Sequence, residues 1–345
     1  MPADPLLVET VTRLFADTCT HEAIEAAEAD GWAEGVWAPL AESGFALVGI
    51  GEEVGGSGGE LEDLAEVLRQ AGAHAAPVPV GEQGLAAWLA VLAGLPVPDG
   101  VLTVVPGSPD DTLALSATGL SGTAHLVPWA RRADHVVALV DGFVAVVPAE
   151  GLAITPRTNL AGEPRDTVSF DGVAAQRAAS TVEATDLRRR GALTRALLMA
   201  GALDRMSRLT VEYTNDRQQF GRPVARFQAV QQHLVWAAQD AAIANMAAQV
   251  AARQASRGPA AFEIAAAKLL ANQCATSATR ACHQAHGAMG MTREYGLHHL
   301  SRRLWAWRTE YGTEHEWSTW LGRAAADLGA DELYPLITAG SLALV

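Results

Sequence analysis

The period of the hydrophobic pattern changes twice along this chain, and the order of those changes constrains its fold more than any other feature. Over residues 5–73 apolar side chains recur at helical spacing, with Leu7, Val11 and Leu14 on one face and Trp32, Val36 and Leu40 repeating every four. Pro39 is expected to interrupt the second of these runs. Between residues 101 and 182 the pattern shifts to short β-type runs at 101–105, 112–116, 135–140, 143–147, 152–155 and 167–170. Turn signals at Asp141-Gly142 and Asp171-Gly172 separate some of them, which predicts an antiparallel β domain. After Asp186 the period becomes helical again. Met199, Leu203, Met206, Leu209 and Tyr213 form one buried stripe, opposite an exposed set of Asp204, Arg205, Arg208 and Glu212. Two Ala-rich helices, over about 224–256 and 259–286, then imply a tightly packed bundle. The expected fold is therefore α+β and multidomain: an N-terminal helical domain over 1–100, a middle antiparallel β domain over 101–185 and a C-terminal antiparallel four-helix bundle over 186–345.

Charge narrows the function. The chain has 25 basic and 39 acidic residues, a net −14, which argues against binding nucleic acid through phosphate contacts. The imbalance is uneven: residues 1–185 carry −19 and residues 186–345 carry +5, so an anionic ligand is expected against the second half. Three cysteines, Cys19, Cys274 and Cys282, make no disulfide framework, and no signal-peptide pattern opens the sequence, so a cytoplasmic location is expected. Apolar stretches such as residues 84–97 contain Gly and Pro and fall short of the ~20 residues that span a bilayer, so no membrane segment is expected. Lys268 is the one lysine among the basic residues.

Four segments carry the chemistry. Arg217-Gln-Gln-Phe-Gly-Arg-Pro-Val-Ala-Arg-Phe-Gln228 joins a helix end, a Gly-Arg-Pro turn and the next helix start. Gln284-Ala-His-Gly-Ala-Met-Gly-Met-Thr-Arg-Glu-Tyr295 follows the second Ala-rich helix, and Gly312-Thr313 comes shortly after it. A glycine-rich break over residues 51–59 lacks the spacing of a phosphate loop and reads as a turn. Arg217 offers a donor fork suited to pyrophosphate and Phe220 an aromatic face, although a helix C-terminal charge is the plainer reading of Arg217. Gln228 and Gln284 offer amides for adenine or phosphate oxygens, although Gln228 also suits a solvated helix start. Gly287 and the small Ala288 allow close approach of a ligand to the backbone. Thr313-Glu-His-Glu316 is in addition a capping box for a following helix.

In this order the four segments resemble the acyl-CoA dehydrogenase family, whose patterns read R-x-x-F-G-x-x-x-x-x-x-Q, Q-x-x-G-G-x-G-Y/F, Y-E-G-T and, near the N-terminus, P-E-x-x-G-G-x-G. The resemblance implies that Arg217, Gln219, Phe220, Gln228, Gln284, Gly287, Ala288 and Thr313 bind FAD, shared across a subunit interface. It also exposes departures. The family's T-E-P-x-x-G-S-D stretch survives only as a remnant in residues 101–111, and its W-[IV]-[ST] strand becomes Leu126-Val127-Pro128-Trp129, with no hydroxyl at Pro128. Tyr311 stands where the family places the Glu that removes the substrate α-proton, and a phenol is a poor base at neutral pH. Glu310 is a displaced candidate base. The alternative location of the base, before Ala200-Gly201, holds Thr194, with Arg195 beside it as a candidate substrate contact.

What the resemblance implies is a base-lacking subunit that completes the FAD site of a catalytic partner subunit, in the manner of actinobacterial α2β2 enzymes desaturating bulky steroid side-chain acyl-CoA thioesters. Two alternatives stay open: a self-sufficient homo-oligomeric FAD enzyme using Glu310, and a flavin-free structural subunit. Cys282, His283 and His286 lack a complementary ligand pair, so no metal is expected. His298, His299, Arg302 and Arg303 are expected to form a polar helix face, and Trp305, Trp307, Trp317 and Trp320 to lie in the bundle core or at a subunit contact.

Overall fold

A computed structural model describes residues 3–339. The chain forms two compact units, one made of Ala3–Leu64 and Pro77–Gly191 and the other of Ala65–Ala76 and the residues from Ala192 onward.

In the first unit, α1 (Pro5–Thr18), α2 (His21–Asp30) and α3 (Glu34–Glu42) open the chain, followed by the glycine-rich turn and the start of α4 (Leu61–Ala73). Asp4 and Thr20 cap α1 and α2 by accepting from Leu6 and Ala23 backbone N–H groups. Pro39 lies inside α3 and does not break it, a correction to the sequence expectation. The helix ends only three residues later, so the missing N–H removes one hydrogen bond from a turn that is already terminating. After α5 (Val80–Leu92) come two four-stranded sheets built from β1 (Leu102–Val104), β2 (Ala114–Ser116), β3 (Gly119–Pro128), β4 (His135–Val140), β5 (Phe143–Pro148), β6 (Ala153–Thr155), β7 (Arg165–Val173) and β8 (Gln176–Ala179). One has the order β1-β4-β5-β8 and the other β2-β3-β7-β6. The pairings are antiparallel, as expected, with one exception at a sheet edge, where β1 pairs with β4 in parallel. Their inner faces share an aliphatic core centred on Leu120, Val127, Val136, Val147, Val168 and Phe170.

The second unit is helical. Its long elements are α6 (Ala184–Asp216, which begins in the first unit), α7 (Gln228–Ala255) and α8 (Ala261–His286), followed by α9 (Leu297–Trp307), α10 (Glu314–Leu328) and α11 (Ala330–Ala339). Between α6 and α7 a two-stranded hairpin pairs β9 (Gln218–Gln219) with β10 (Arg222–Pro223). The end of α4 and the middle of α6 pack nearly backbone to backbone. A Cβ on Gly72 would lie 1.9 Å from the Leu198 carbonyl oxygen, and one on Gly201 1.8 Å from that of Arg69. Helices α7 and α8 meet through alanines, among them Ala237, Ala241, Ala244 and Ala248 on one and Ala267, Ala271, Ala275 and Ala278 on the other, all buried. The expected polar face of α9 is corrected: His299 and Arg303 are buried, while Trp307 and Trp317 join the core and Trp305 stays exposed.

Candidate functional site

Three groups of side chains in the helical unit concern function. The first is the hairpin after α6. Arg217 ends the helix with its N–H on the Tyr213 carbonyl, and its own carbonyl accepts from Val224, which folds the chain back. Phe220 and Gly221 both take positive φ, +51° and +76°, the geometry of a tight two-residue hairpin turn. That turn pushes Phe220 outward, and it is 91% exposed. Its ring meets Phe227 edge-on at 6.1 Å, and the Arg222 guanidinium lies 4.3 Å over Phe227. Arg217, Gln219 and Gln228 are exposed as well, so this arm presents a donor fork, amides and an aromatic face to its surroundings.

The second group closes α8. Gln284, Gly287 and Ala288 are exposed, and no heavy atom lies within 4 Å of where a Gly287 Cβ would stand, so the backbone there is open to a ligand. Behind it His286 is buried, stacked on Tyr213 at 4.5 Å and 5.1 Å from Tyr295, with Nδ1 2.9 Å from the Cys282 carbonyl oxygen. Burial lowers the pKa of both His283 and His286. The Cys282 thiol faces the Met206 carbonyl, and burial pushes it up to about 11.

The third group surrounds the turn between α9 and α10. Arg195 on α6 is 1% exposed, and its Nε donates to Glu310 Oε2 at 2.6 Å. The guanidinium carbon also stands 5.6 Å from the centre of the Tyr311 ring. Tyr311 has φ +54°, an uncommon conformation for an aromatic residue, and Gly312 follows at +118°. Thr194, where the resemblance places the alternative base, is buried and is no carboxylate. Thr313 caps α10. Its Oγ1 accepts from the Glu316 N–H and donates to the Glu316 carboxylate, which in turn accepts from the Thr313 N–H. The capping box is therefore present, and it occupies the hydroxyl.

Sequence reasoning noted Lys268 only as the lone lysine. In the structure it is fully buried, with its ammonium donating to Asn272 Oδ1, Trp307 O, Arg308 O and Gly312 O. A cation placed alone in an Ala-rich helix face was the available signal.

In the first unit Pro128 ends β3, and its carbonyl accepts from the Thr103 hydroxyl. Trp129 is buried in a left-handed conformation beneath Arg165, whose guanidinium lies 4.9 Å from the ring and pairs with Glu163 at 3.0 Å. Neighbouring Asp166 holds Arg131 and the backbone N–H groups of Arg131 and Arg157.

Residues 2–94 match the N-terminal domain of acyl-CoA dehydrogenases and residues 187–316 their C-terminal domain. The chain is 30% identical over 307 residues to the acyl-CoA dehydrogenase IpdE2 of Mycobacterium tuberculosis, covering 86% of this chain and 89% of that one. This chain belongs to the acyl-CoA dehydrogenase family. Its fold superposes on a chain of the ChsE4-ChsE5 complex from M. tuberculosis with a TM-score of 0.85 at 25% identity, covering 94% of this chain and 97% of that one. The Tcur3481-Tcur3483 steroid acyl-CoA dehydrogenase shares the fold, with a TM-score of 0.84 at 24% identity, covering 93% of this chain and 97% of that one. Members of the family are generally FAD-dependent. The exposed arm and the open Gly287 backbone fit a dinucleotide, whereas the end of β3 offers proline in place of the hydroxyl expected beside a flavin.

Proposed function

We propose that this chain is the partner subunit of a heteromeric acyl-CoA dehydrogenase, supplying part of the FAD site of a catalytic subunit that desaturates a bulky, steroid-derived acyl-CoA. One contrast carries the reading. The carboxylate next to the family's base position, Glu310, is bonded to a buried arginine, while the flavin-type arm Arg217–Gln228 is turned outward. To accept a proton, Glu310 would have to give up the charge that faces Arg195, which burial makes costly. FAD, when bound, takes up the substrate hydride as a base removes the neighbouring proton. This chain's part is then to hold the cofactor: Arg217 against pyrophosphate oxygens, Gln219, Gln228 and Gln284 as amide partners, Phe220 as an aromatic wall, and Gly287 and Ala288 as a backbone surface that admits it. Thr313 contributes mainly by fixing the start of α10.

The outer face of α7 supports assembly with a second chain. Trp236, Ile243 and Val250 recur every seven residues with Met246 between them, and all four are exposed, while the opposite face is buried through alanines. A helix apolar on both sides suits a position between two packed bodies. Relatives named as a two-chain complex and as a steroid acyl-CoA dehydrogenase support the hetero-oligomer and the substrate class. A cytoplasmic setting accords with three free cysteines, and among the described residues no helix is long and apolar enough to cross a membrane.

The test is a visible spectrum of the chain purified alone and after co-expression with a candidate catalytic subunit. Flavin absorbance only in the co-expressed complex, lost with Arg217→Ala, is the expected result. A yellow chain that bleaches with acyl-CoA by itself overturns the reading in favour of a self-sufficient enzyme. Flavin occupancy unaffected by Arg217→Ala favours a scaffold role.

A further inference from the structure

Lys268 is the one lysine among 25 basic residues, and it is completely buried. Its Nζ lies 2.7 Å from Asn272 Oδ1, 3.1 Å from each of the Trp307 and Arg308 carbonyl oxygens and 3.2 Å from that of Gly312. A compact ammonium can share its three protons among such a ring of oxygens, whereas a planar guanidinium directs its donors outward in a fork. In a chain that otherwise uses arginine throughout, this cage is a physical reason for the exception.

The carbonyls of Trp307 and Arg308 lie at the C-terminal end of α9, where helix carbonyls lack partners and a cation is favoured. Gly312 closes the far end of the same turn. Lys268 therefore pins both ends of residues 308–312. Within that turn Glu310 reaches Arg195, and the Tyr311 carbonyl accepts from Trp317 Nε1 at 3.2 Å. A Cβ on Gly312 would fall 2.3 Å from the same indole nitrogen, so turn and indole cannot shift independently.

We propose that Lys268 is the positioning residue of this turn, a proton-operated latch: its ammonium locks residues 308–312 as described, and loss of a proton frees one carbonyl and relaxes them. A neutral amine has two N–H donors and no charge to offer the end of α9. Burial drives the ammonium down to about 7, opposed by Glu310, reinforced by Arg195 of α6 and Arg308, and opposed again by Glu316 of α10. The latch thus operates close to neutral pH. Because the turn leads into Thr313, its release would also weaken the hold on FAD; this last step rests on the function proposed above.

The single lysine makes the test direct. Full-length chain labelled with carbon-13 at lysine Cε gives one lysine side-chain resonance. Its midpoint is expected near 7, and the Trp317 indole N–H signal, assigned with Trp317→Phe, should move with the same midpoint. In Lys268→Met that indole signal should no longer depend on pH between about 6 and 9, and Lys268→Arg, which stays charged, should do the same. A lysine midpoint above about 9.5 overturns the latch. So does an indole signal that stays still while the lysine titrates, an outcome readable on the unmodified chain even if neither variant folds. In the co-expressed complex the FAD dissociation constant should rise about threefold or more from pH 6 to pH 8.5. Flat FAD affinity with both resonances titrating leaves the latch standing and overturns the flavin step alone.

Discussion

Glu310 and Arg195 bear directly on the proposed reading of the site. Glu310 precedes Tyr311, the position at which the resemblance places the base, and its Oε2 is taken by Arg195 at 2.6 Å. Arg195 is 2% exposed over its side chain and Glu310 18%, so solvent screens the pair only weakly. Glu310→Gln should therefore destabilise the chain by about 2–3 kcal/mol in urea unfolding, because a buried positive charge loses its carboxylate. The paired change Arg195→Met with Glu310→Leu should cost less than the single one, since both charges leave together. In the assembled complex Glu310→Gln should leave turnover within about threefold, whereas removing a general base costs roughly 10²–10⁴. A loss of that size with the complex intact would make Glu310 the base.

At the scale of elements, the apolar seam of α7 yields a second prediction. Trp236, Ile243, Met246 and Val250 are exposed on this chain and occupy one side of a 28-residue helix. If a partner covers them, Ile243→Glu should weaken subunit association by about 100-fold in sedimentation experiments while altering the chain's own stability by no more than about 0.5 kcal/mol. An unchanged assembly state would remove this face from the interface. The same elements show what was legible in sequence. The α7 and α8 helices, the strand His135–Val140 and the Thr313 cap were readable because period, turn residues and capping chemistry are local. Helix α5 escaped because its residues from Val80 to Ala90 are almost all buried, leaving no polar face to mark a period. Strand β3 is Gly-, Ser- and Thr-rich with two register irregularities, which hide a two-residue alternation. The parallel β1–β4 pair depends on a non-local pairing that alternation within a strand cannot express. Of the site, the outward arm was legible as a motif, whereas the Arg195–Glu310 pair joins residues 115 apart and the three backbone carbonyls of the Lys268 cage lie 39 to 44 residues from it, beyond any local pattern.

For the whole molecule, the buried bases set how stability varies with pH. Lys268 falls from the ordinary 10.5 to about 7 on folding, so between those values the unfolded chain binds more protons than the folded one. This group's contribution to stability then rises with pH across that window; its penalty is complete below about 7 and gone above 10.5. His74, His283 and His286, each lowered from 6.5 by burial, act in the same sense at lower pH: their contribution is present above 6.5 and lost as acid protonates them. The two windows meet near neutrality and can be separated by mutation. Urea midpoints measured from about pH 5 to 8.5, below the range in which the raised Cys274 and Cys282 thiols act in the opposite sense, should climb in the unmodified chain, and Lys268→Met should flatten the part above pH 7 while sparing the acid part. The linkage compares folded with unfolded chain, whereas the latch compares two folded forms, so gain of global stability and loosening of the 308–312 turn proceed together as pH rises. A Lys268→Met profile parallel to that of the unmodified chain above pH 7 would mean that the ammonium keeps its ordinary affinity for protons, and the latch would have nothing to work with.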